Sequence, residues 1–437
     1  MLIGVKSTGQ ARAGPAGGHP GLAVRNGRAG RGAKIAGPPP AVTIPAAMPD
    51  LFSPFTLKDV TLRNRIAMSP MTQHRAVDGR VGDFHLMLCG SRAAGGFGLV
   101  FPEQVAITPD GRTSVHCAGL WDDAQVEGFA RMTRLVKDMG AVPAIQLGHT
   151  GRKGSECAPW KGRVQLPPEH PEGWQVRGPS DVPYGGVRPY PVHPLTRDEI
   201  AGLHRAYADA ARRALDAGFE WLELHFAHGY LGASFLSPLA NRRTDDHGGS
   251  LENRVRFHLG AIDAVREVWP ERLPLTMRLG ADDLNPAGTT LDDAIAAVGM
   301  MKARGLDLAD VSIGFNTDDM SPKPFADLAF MVGRAARVRR ETGLPVATSW
   351  NLGLPAVADR VIREEAIDLV MLGRPALSNP HWPLWAAREL AHPDPFSLVP
   401  EDWAWWLRNF RAHPDCIGWP APGSAVAVAP DASAAVG

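Results

Sequence analysis

Two imidazoles and a phenol fall close together in this chain, in the run His225-Phe-Ala-His228-Gly-Tyr230. Imidazoles sit near neutrality in their proton affinity and a phenol holds its proton well above it. A cluster of the three can grip a carbonyl oxygen and deliver a proton beside it, which is general acid catalysis. The same residues could instead form a turn whose rings only satisfy backbone carbonyls. The run follows a strand-like stretch, Glu220-Trp-Leu-Glu-Leu224, and leads into Leu236-Ser-Pro-Leu-Ala-Asn-Arg-Arg243 and Thr244-Asp-Asp-His-Gly-Gly-Ser-Leu-Glu-Asn-Arg254.

Short apolar runs alternate with amphipathic ones along the middle of the chain. Strands are expected at 65–71, 98–107, 141–149, 221–228, 274–280, 306–314, 345–350 and 369–374. Helices are expected at 84–95, 124–139, 196–217, 250–267, 290–304, 325–342, 354–363 and 380–391. Eight of each in strict alternation is an α/β pattern, the count of a (β/α)8 TIM barrel, and the apolar strands suit a parallel sheet covered by helices. A doubly wound open sheet would need a Gly-rich phosphate turn after its first strand, and Thr72-Gln-His-Arg stands there instead. The connection after strand three, from Gly151 to about Pro194, is far longer than an ordinary βα loop and carries Trp160, Trp174, Tyr184 and Tyr190; it is expected to cap the barrel mouth. A Trp-rich C-terminal extension, Trp403-Ala-Trp405-Trp406-Leu-Arg-Asn-Phe410-Arg411, follows the last barrel helix and must pack on the barrel or reach a neighbouring site or subunit.

In such a barrel the reacting groups stand at the C-terminal ends of the strands. Those ends carry Thr72, Glu103 with Gln104, Gln146 with His149, His225 with His228, Arg278, Trp350, and Gly373-Arg374. Polar groups converging from distant strands define a cofactor or substrate site. A flat, amide-rich ring such as a flavin needs a hydroxyl and a carboxamide at its edge, which Thr72 and Gln146 could supply. It needs a fixed cation where negative charge gathers on reduction, and Arg278 fits. Its phosphate needs backbone N–H groups and an arginine, and Gly373-Arg374 lies where barrels place such a site.

Lys plus Arg number 46 and Asp plus Glu 46, so no overall field recruits nucleic acid or an anionic membrane. Six of the basic side chains (Lys6, Arg12, Arg25, Arg28, Arg31, Lys34) lie within residues 1–49, which hold no acid. Residues 1–47, rich in Gly, Ala, Pro and Arg, read as a disordered or spurious extension ahead of Met48, and residues 412–437 as a disordered tail; the barrel is expected over 48–411. No run of 18 apolar residues exists, so no spanning helix is expected. Cys89, Cys117, Cys157 and Cys416 are scattered without a CxxC pair, which argues against an iron–sulfur cluster or zinc ribbon and for a reducing, cytoplasmic compartment.

Long motifs in this order resemble the Old Yellow Enzyme family of FMN-dependent ene-reductases. They are Leu51-Phe-Ser-Pro-Phe55, Arg63-Asn-Arg-Ile-Ala-Met-Ser-Pro-Met71, Gln146-Leu-Gly-His-Thr-Gly-Arg-Lys153, His225-Phe-Ala-His-Gly-Tyr-Leu231, Asn241 through Arg254, and Leu372-Gly-Arg374. The bacterial xenobiotic-reductase branch is the most similar. The resemblance implies FMN at the barrel mouth, reduced by NADPH or NADH, and a small activated alkene as substrate. His225 and His228 would hold its carbonyl oxygen, and Tyr230 would protonate the α-carbon. Pro70, Met71, Thr72, Gln104, Gln146, Arg278, Gly373 and Arg374 match flavin-contacting positions, and His74 and Trp350 match substrate-pocket positions. The exposed tryptophans suggest a homo-oligomer in which Trp406 or Arg411 reaches a mouth.

Three positions depart from the branch. Thr72 stands where a cysteine is common, His74 where a tyrosine is, and Gln104 where an alanine is, which touches flavin potential and substrate range rather than reaction class. Other reactions on the same flavin barrel, amine demethylation or dienoyl thioester reduction, usually come with a cysteine-ligated cluster. A non-redox barrel hydrolase, aldolase or isomerase would use the His pair as acid and base. A silent flavin-binding module would leave activated alkenes untouched. Glu223 is expected to point away from the site as an orienting partner, His85, His116 and His149 to be satisfied locally, Ser250 or Asp246 to cap a helix, and no metal to be bound.

Overall fold

The computed structural model describes residues 48–320 and 323–409; the expected leader, the tail, and Phe410 and Arg411 lie outside the described residues. Eight parallel strands form a ring: β1 (Ile66–Met68), β2 (Leu99–Val100), β3 (Val142–Gly148), β4 (Trp221–Phe226), β5 (Leu275–Asp282), β6 (Leu308–Ile313), β7 (Val346–Thr348) and β8 (Leu369–Leu372). Consecutive strands pair in order, and β8 returns to β1 with Val370 opposite Ile66, so the sheet has no free edge. Outside the ring run α1 (Asp83–Ala94), α2 (Val126–Asp138), α3 (Arg197–Asp216), α4 (Leu251–Arg266), α5 (Leu291–Lys302), α6 (Val332–Thr342), α7 (Pro355–Arg363) and α8 (Trp382–Glu389). The (β/α)8 expectation holds.

Helix starts follow local chemistry. Thr196 accepts the Glu199 N–H while the Glu199 carboxylate takes the Thr196 N–H, a reciprocal cap that opens α3. Ser250 accepts the Asn253 N–H ahead of α4, as expected, and Thr290 does the same for α5. The apolar faces then bury large rings between helix and sheet: Tyr207, Phe226 and Phe257 meet edge-on, and Phe235 stacks on Phe257.

Several expected elements are shorter than the sequence pattern suggested, and four show why. The second strand breaks after Val100 and resumes as Gln104–Ala106 beside β3, because Pro102 has no N–H for the ladder. The fourth strand ends at Phe226, since His228 and Gly229 turn the chain at φ +60° and +70°. The eighth ends at Leu372, and Arg374 already belongs to a short helix, Arg374–Ser378. The sixth helix starts at Val332 rather than 325: Ala329 takes a positive φ, and Phe325 and Phe330 turn to pack on Trp350.

The hairpin Phe55–Leu57/Val60–Leu62 lies at the N-terminal ends of the strands, where Asp59 N–H bonds the Arg272 carbonyl. At the opposite end the long connection carries a short strand pair, Arg177–Gly178 with His193–Pro194. It is stitched to the mouth by Arg152, which donates to the Asn316 carbonyl at 2.6 Å, and by Lys153, which donates to the His228 carbonyl at 2.7 Å. The Trp-rich segment forms a helix, Glu401–Asn409, that buries Ala404 against Leu384 and Val399 but leaves Trp403, Trp405 and Trp406 exposed.

No helix among the described residues is long and apolar enough to cross a membrane. Gly229 fixes the turn after β4: a Cβ there would lie 2.1 Å from the Phe315 carbonyl oxygen, at a φ of +70°. Gly229→Ala is expected to destabilise the fold by at least about 1–2 kcal/mol, read as a lower urea midpoint at unchanged slope. An unchanged midpoint would show that the turn relaxes freely.

Candidate active site

Arg278 on β5 stands opposite His225 of β4 and Asp310 of β6. Its guanidinium is buried inside the mouth. Nη1 donates to Ser69 Oγ at 3.0 Å, Nη2 donates to Ser349 Oγ at 2.8 Å, and Nε lies 3.3 Å from Asp310 Oδ2. Five N–H groups serve these three partners, so donor capacity remains toward the cavity that Arg278 lines.

The His225 and His228 rings meet edge-on at 5.0 Å, and Tyr230 lies over His225 at 4.7 Å with the planes 30° apart. Their hydrogen bonds form a directed chain. The Ala227 N–H donates to His225 Nδ1 at 3.3 Å, which leaves the His225 proton on Nε2. Nε2 donates to His228 Nδ1 at 3.2 Å, and His228 Nε2 in turn donates to Ser312 Oγ at 2.8 Å. Burial, then the Arg278 charge, pushes the His225 ring down to about 3 and holds His228 well below the ordinary histidine range. Both rings are therefore neutral at pH 7. Burial also raises the Tyr230 phenol, which keeps its proton. Lys153, with its Nζ 4.6 Å over the Tyr184 ring, is lowered by burial and then by Arg188.

Gln146 projects from β3 beside β4, and its Nε2 donates to Glu223 Oε1 at 2.7 Å. Glu223 thus orients a neighbour as expected, but it does so from inside the barrel beside Gln146 rather than pointing away from the site. Gln104 sits opposite Gln146 in the ladder. Its amide nitrogen and oxygen are buried without a hydrogen-bond partner among the described residues. An added Cβ at Gly148 would come within 3.0 Å of both Gln104 Nε2 and His225 Cβ, so this glycine makes room for that amide.

A cavity of about 960 Å³ opens over Arg278 and His228. Of the expected site residues, Pro70, Met71, His228, Arg278, Trp350, Gly373 and Arg374 line it. His225, Gln146 and Gln104 are buried in the barrel interior, and Thr72 is half-buried directly after Met71. His74 lines a second cavity of about 410 Å³ with Arg75, His116 and Glu156. There its Nδ1 lies 2.7 Å from Ser114 Oγ and its ring meets Trp160 edge-on. His85 pairs with Glu103 at 2.9 Å and His149 Nδ1 accepts the Gly151 N–H, both local roles as expected.

The groups fit a flavin. The cavity is at the upper end of the range for cofactor sites. The orphaned Gln104 amide, the remaining Arg278 donors and the Arg374 guanidinium, which has no hydrogen-bond partner among the described residues, are complementary to an amide-rich ring carrying a phosphate. Asp245, Asp246 and His247 form a surface grouping of metal-ligand types, but Arg243 and Arg197 already engage the two carboxylates at 2.6 and 2.9 Å.

The NADH:flavin oxidoreductase / NADH oxidase family matches residues 50–392, and the chain belongs to that family. It is 41% identical over 345 residues to the NADPH dehydrogenase of Geobacillus thermodenitrificans (strain NG80-2), spanning 78% of this chain and 94% of that one. Among solved structures, morphinone reductase in complex with tetrahydroNAD aligns with TM-score 0.65 and 29% identity over 78% of this chain and 91% of its own. The old yellow enzyme homologue from Zymomonas mobilis aligns with TM-score 0.63 and 26% identity, over 79% and 93%. A 2-naphthoyl-CoA reductase complex aligns with TM-score 0.71 and 26% identity over 80% of this chain, which spans about half, 53%, of that longer chain. The chain is thus an FMN-dependent NAD(P)H oxidoreductase of the Old Yellow Enzyme type.

Sequence reasoning missed the serines that aim the site. Ser69 and Ser349 hold Arg278, and Ser312 holds His228 while lying 3.4 Å from the Trp350 indole nitrogen. Reading β1 and β7 as ending earlier would have exposed the first two. The stack of Phe315, Phe325 and Trp350 was missed because Phe315 falls just past an expected strand and Phe325 in an expected helix.

Arg278→Met leaves Asp310 as an unpaired buried charge and should cost about 3–5 kcal/mol, together with loss of bound flavin. Adding Asp310→Asn should recover most of the stability but not the flavin. Stability and flavin returning together in the double variant would show that Arg278 serves the fold alone.

Proposed function

We propose that the enzyme reduces the C=C bond of small alkenes activated by a conjugated carbonyl. The observation that carries this reading is the neutral, edge-on His225–His228 pair, with a protonated Tyr230 tilted over His225 and with His228 lining the Arg278 cavity. Bound FMN, reduced by NADPH or NADH, supplies the hydride. His225 Nε2–H is a ready donor to a carbonyl oxygen that displaces His228 Nδ1 from it. His228 then becomes a second donor by moving its proton to Nδ1. Ser312 Oγ, now accepting from Nε2, can reverse its role and donate to it. Two N–H donors thereby meet the oxygen where negative charge develops, with the fixed charge of Arg278 nearby. Tyr230, at the far side of the His225 ring, passes its proton to the α-carbon and recovers one from solvent. The pocket side is bounded by Trp350 and its phenylalanines, a flat apolar wall suited to an unsaturated substrate.

Pro70, Met71, Thr72, Gln104, Gln146, Arg278, Gly373 and Arg374 are assigned to the flavin in this reading, and Trp350 and His74 to the substrate side. Relatives named as reductases of morphinone and 2-naphthoyl-CoA support the reaction class. The exposed Trp403, Trp405 and Trp406 support a homo-oligomer. Truncation after Pro400 would then change the oligomeric state; an unchanged one removes the inference.

The test is anaerobic. NADPH or NADH should bleach the flavin absorption, and 2-cyclohexenone should restore it. Tyr230→Phe should slow only the restoring step, by about 10²–10⁴-fold. Because burial raises the phenol above its ordinary value of 10.0, that step in the wild type should stay flat from about pH 6 to about pH 9. A flavin that bleaches and ignores the enone would keep the cofactor and overturn the substrate class.

A further inference from the structure

Two carboxyls are sealed inside the barrel below the Gln146 amide, and one cation answers both. Glu223 is 1% exposed and Asp310 0%. From β6, Asp310 faces Arg278 at 3.3 Å, and neither Asp310 oxygen has a hydrogen-bond partner among the described residues. From β3, the Gln146 amide meets Glu223 Oε1 at 2.7 Å, a distance that either end of the amide fits once the carboxyl can donate as well as accept. From β5, Arg278 attracts both carboxyls, and Thr276, the ladder partner of Glu223, offers nothing charged and already bonds the Leu222 carbonyl. Two full negative charges here would face one positive charge in a dry interior, which burial does not tolerate. The pair must hold a proton. Arg278 lies closest to Asp310, whereas Glu223 has an amide as its partner, so the proton resides mainly on Glu223.

We propose that Glu223 is a positioning residue working as a neutral acid, which carries the shared proton and so decides which end of the Gln146 amide is presented to the flavin. This rests on the reading of Gln146 as a flavin contact. An ionised Glu223 can only accept, and would lock Gln146 Nε2 downward and its Oε1 toward the cavity. A protonated Glu223 can also donate its O–H to Gln146 Oε1, which turns Nε2 upward and offers an N–H to a ring carbonyl. The flavin potential thus acquires a dependence on a proton it does not itself carry. Mutual repulsion adds to this: burial first, then Asp310, raises the Glu223 carboxyl to about 8. The acid form holds below that pH and is lost above it.

The experiment is a redox titration of the flavin-loaded enzyme across pH, with infrared spectra of the protein alongside. In the wild type the plot of potential against pH should change slope near pH 8. A carboxylic-acid C=O band should be present at neutral pH and fade as the slope changes. Glu223→Gln, neutral at every pH and still able to bond Gln146, should keep the flavin while losing both the slope change and the band. Glu223→Ala, lacking any partner for Gln146, should weaken flavin binding by about tenfold. An identical potential curve in wild type and Glu223→Gln, or a wild type without the acid band, would overturn the proposal. Gln146→Ala separates the two levels. If it leaves the potential unchanged, the placement of Gln146 fails and this inference fails with it. If the potential responds to Gln146→Ala but not to Glu223→Gln, the proton alone is overturned.

Discussion

One buried guanidinium organises this molecule. Arg278 sits within the mouth of the ring, where a bare cation would be far from water, and its neighbours are arranged to make it bearable. Asp310 supplies the opposite charge from the adjacent strand, and Ser69 and Ser349 take its outer nitrogens. Those partners come from just past the ends of β1 and β7 and from within β6, and Ser69 and Arg278 are more than 200 positions apart. A charge that must be met from several strands constrains where each strand ends, so the requirement for Arg278 is also a requirement on the closure of the barrel.

The same charge sets the chemistry of the groups around it. A cation a strand away, added to burial, makes it costly to protonate His225 or His228. In the proposed reaction the imidazoles would serve as neutral hydrogen-bond donors, and the positive potential for a developing oxyanion would come from the Arg278 guanidinium. Tyr230 is affected in the opposite sense by burial, which protects its acid form. One environment thus holds the phenol protonated and the imidazoles neutral, because it acts on groups of opposite charge type.

The architecture was legible because a barrel repeats itself. Alternation of apolar strands with capped helices survives error at any single boundary, and the caps at Thr196, Ser250 and Thr290 fall where residue type demanded them. The residues facing the cavity from strand ends were legible for the same reason. What escaped was chemistry without a sequence period. Ser69, Ser312 and Ser349 are short polar residues in apolar runs, and only three-dimensional closure shows that they face Arg278 and His228. For His74 the position was legible but not its partners: a positive φ of 54° turns its residue, and its ring pairs with Ser114. Its neighbours could not be read from its place in a motif.

The helix that failed to form at 325–331 shows how function and fold trade against each other here. Helical spacing alone would have continued α6 backward through Phe325 and Phe330. Instead those rings leave the helix and join Phe315 and Trp350, with Phe325 stacked on Trp350 at 5.7 Å. Giving up helical hydrogen bonds is acceptable only where side-chain contacts replace what the backbone loses. The replacement is a rigid aromatic wall whose Trp350 indole leans on the same Ser312 that steadies His228. The hydroxyl that partners His228 therefore also partners the aromatic wall, and a change in either is felt by the other through Ser312.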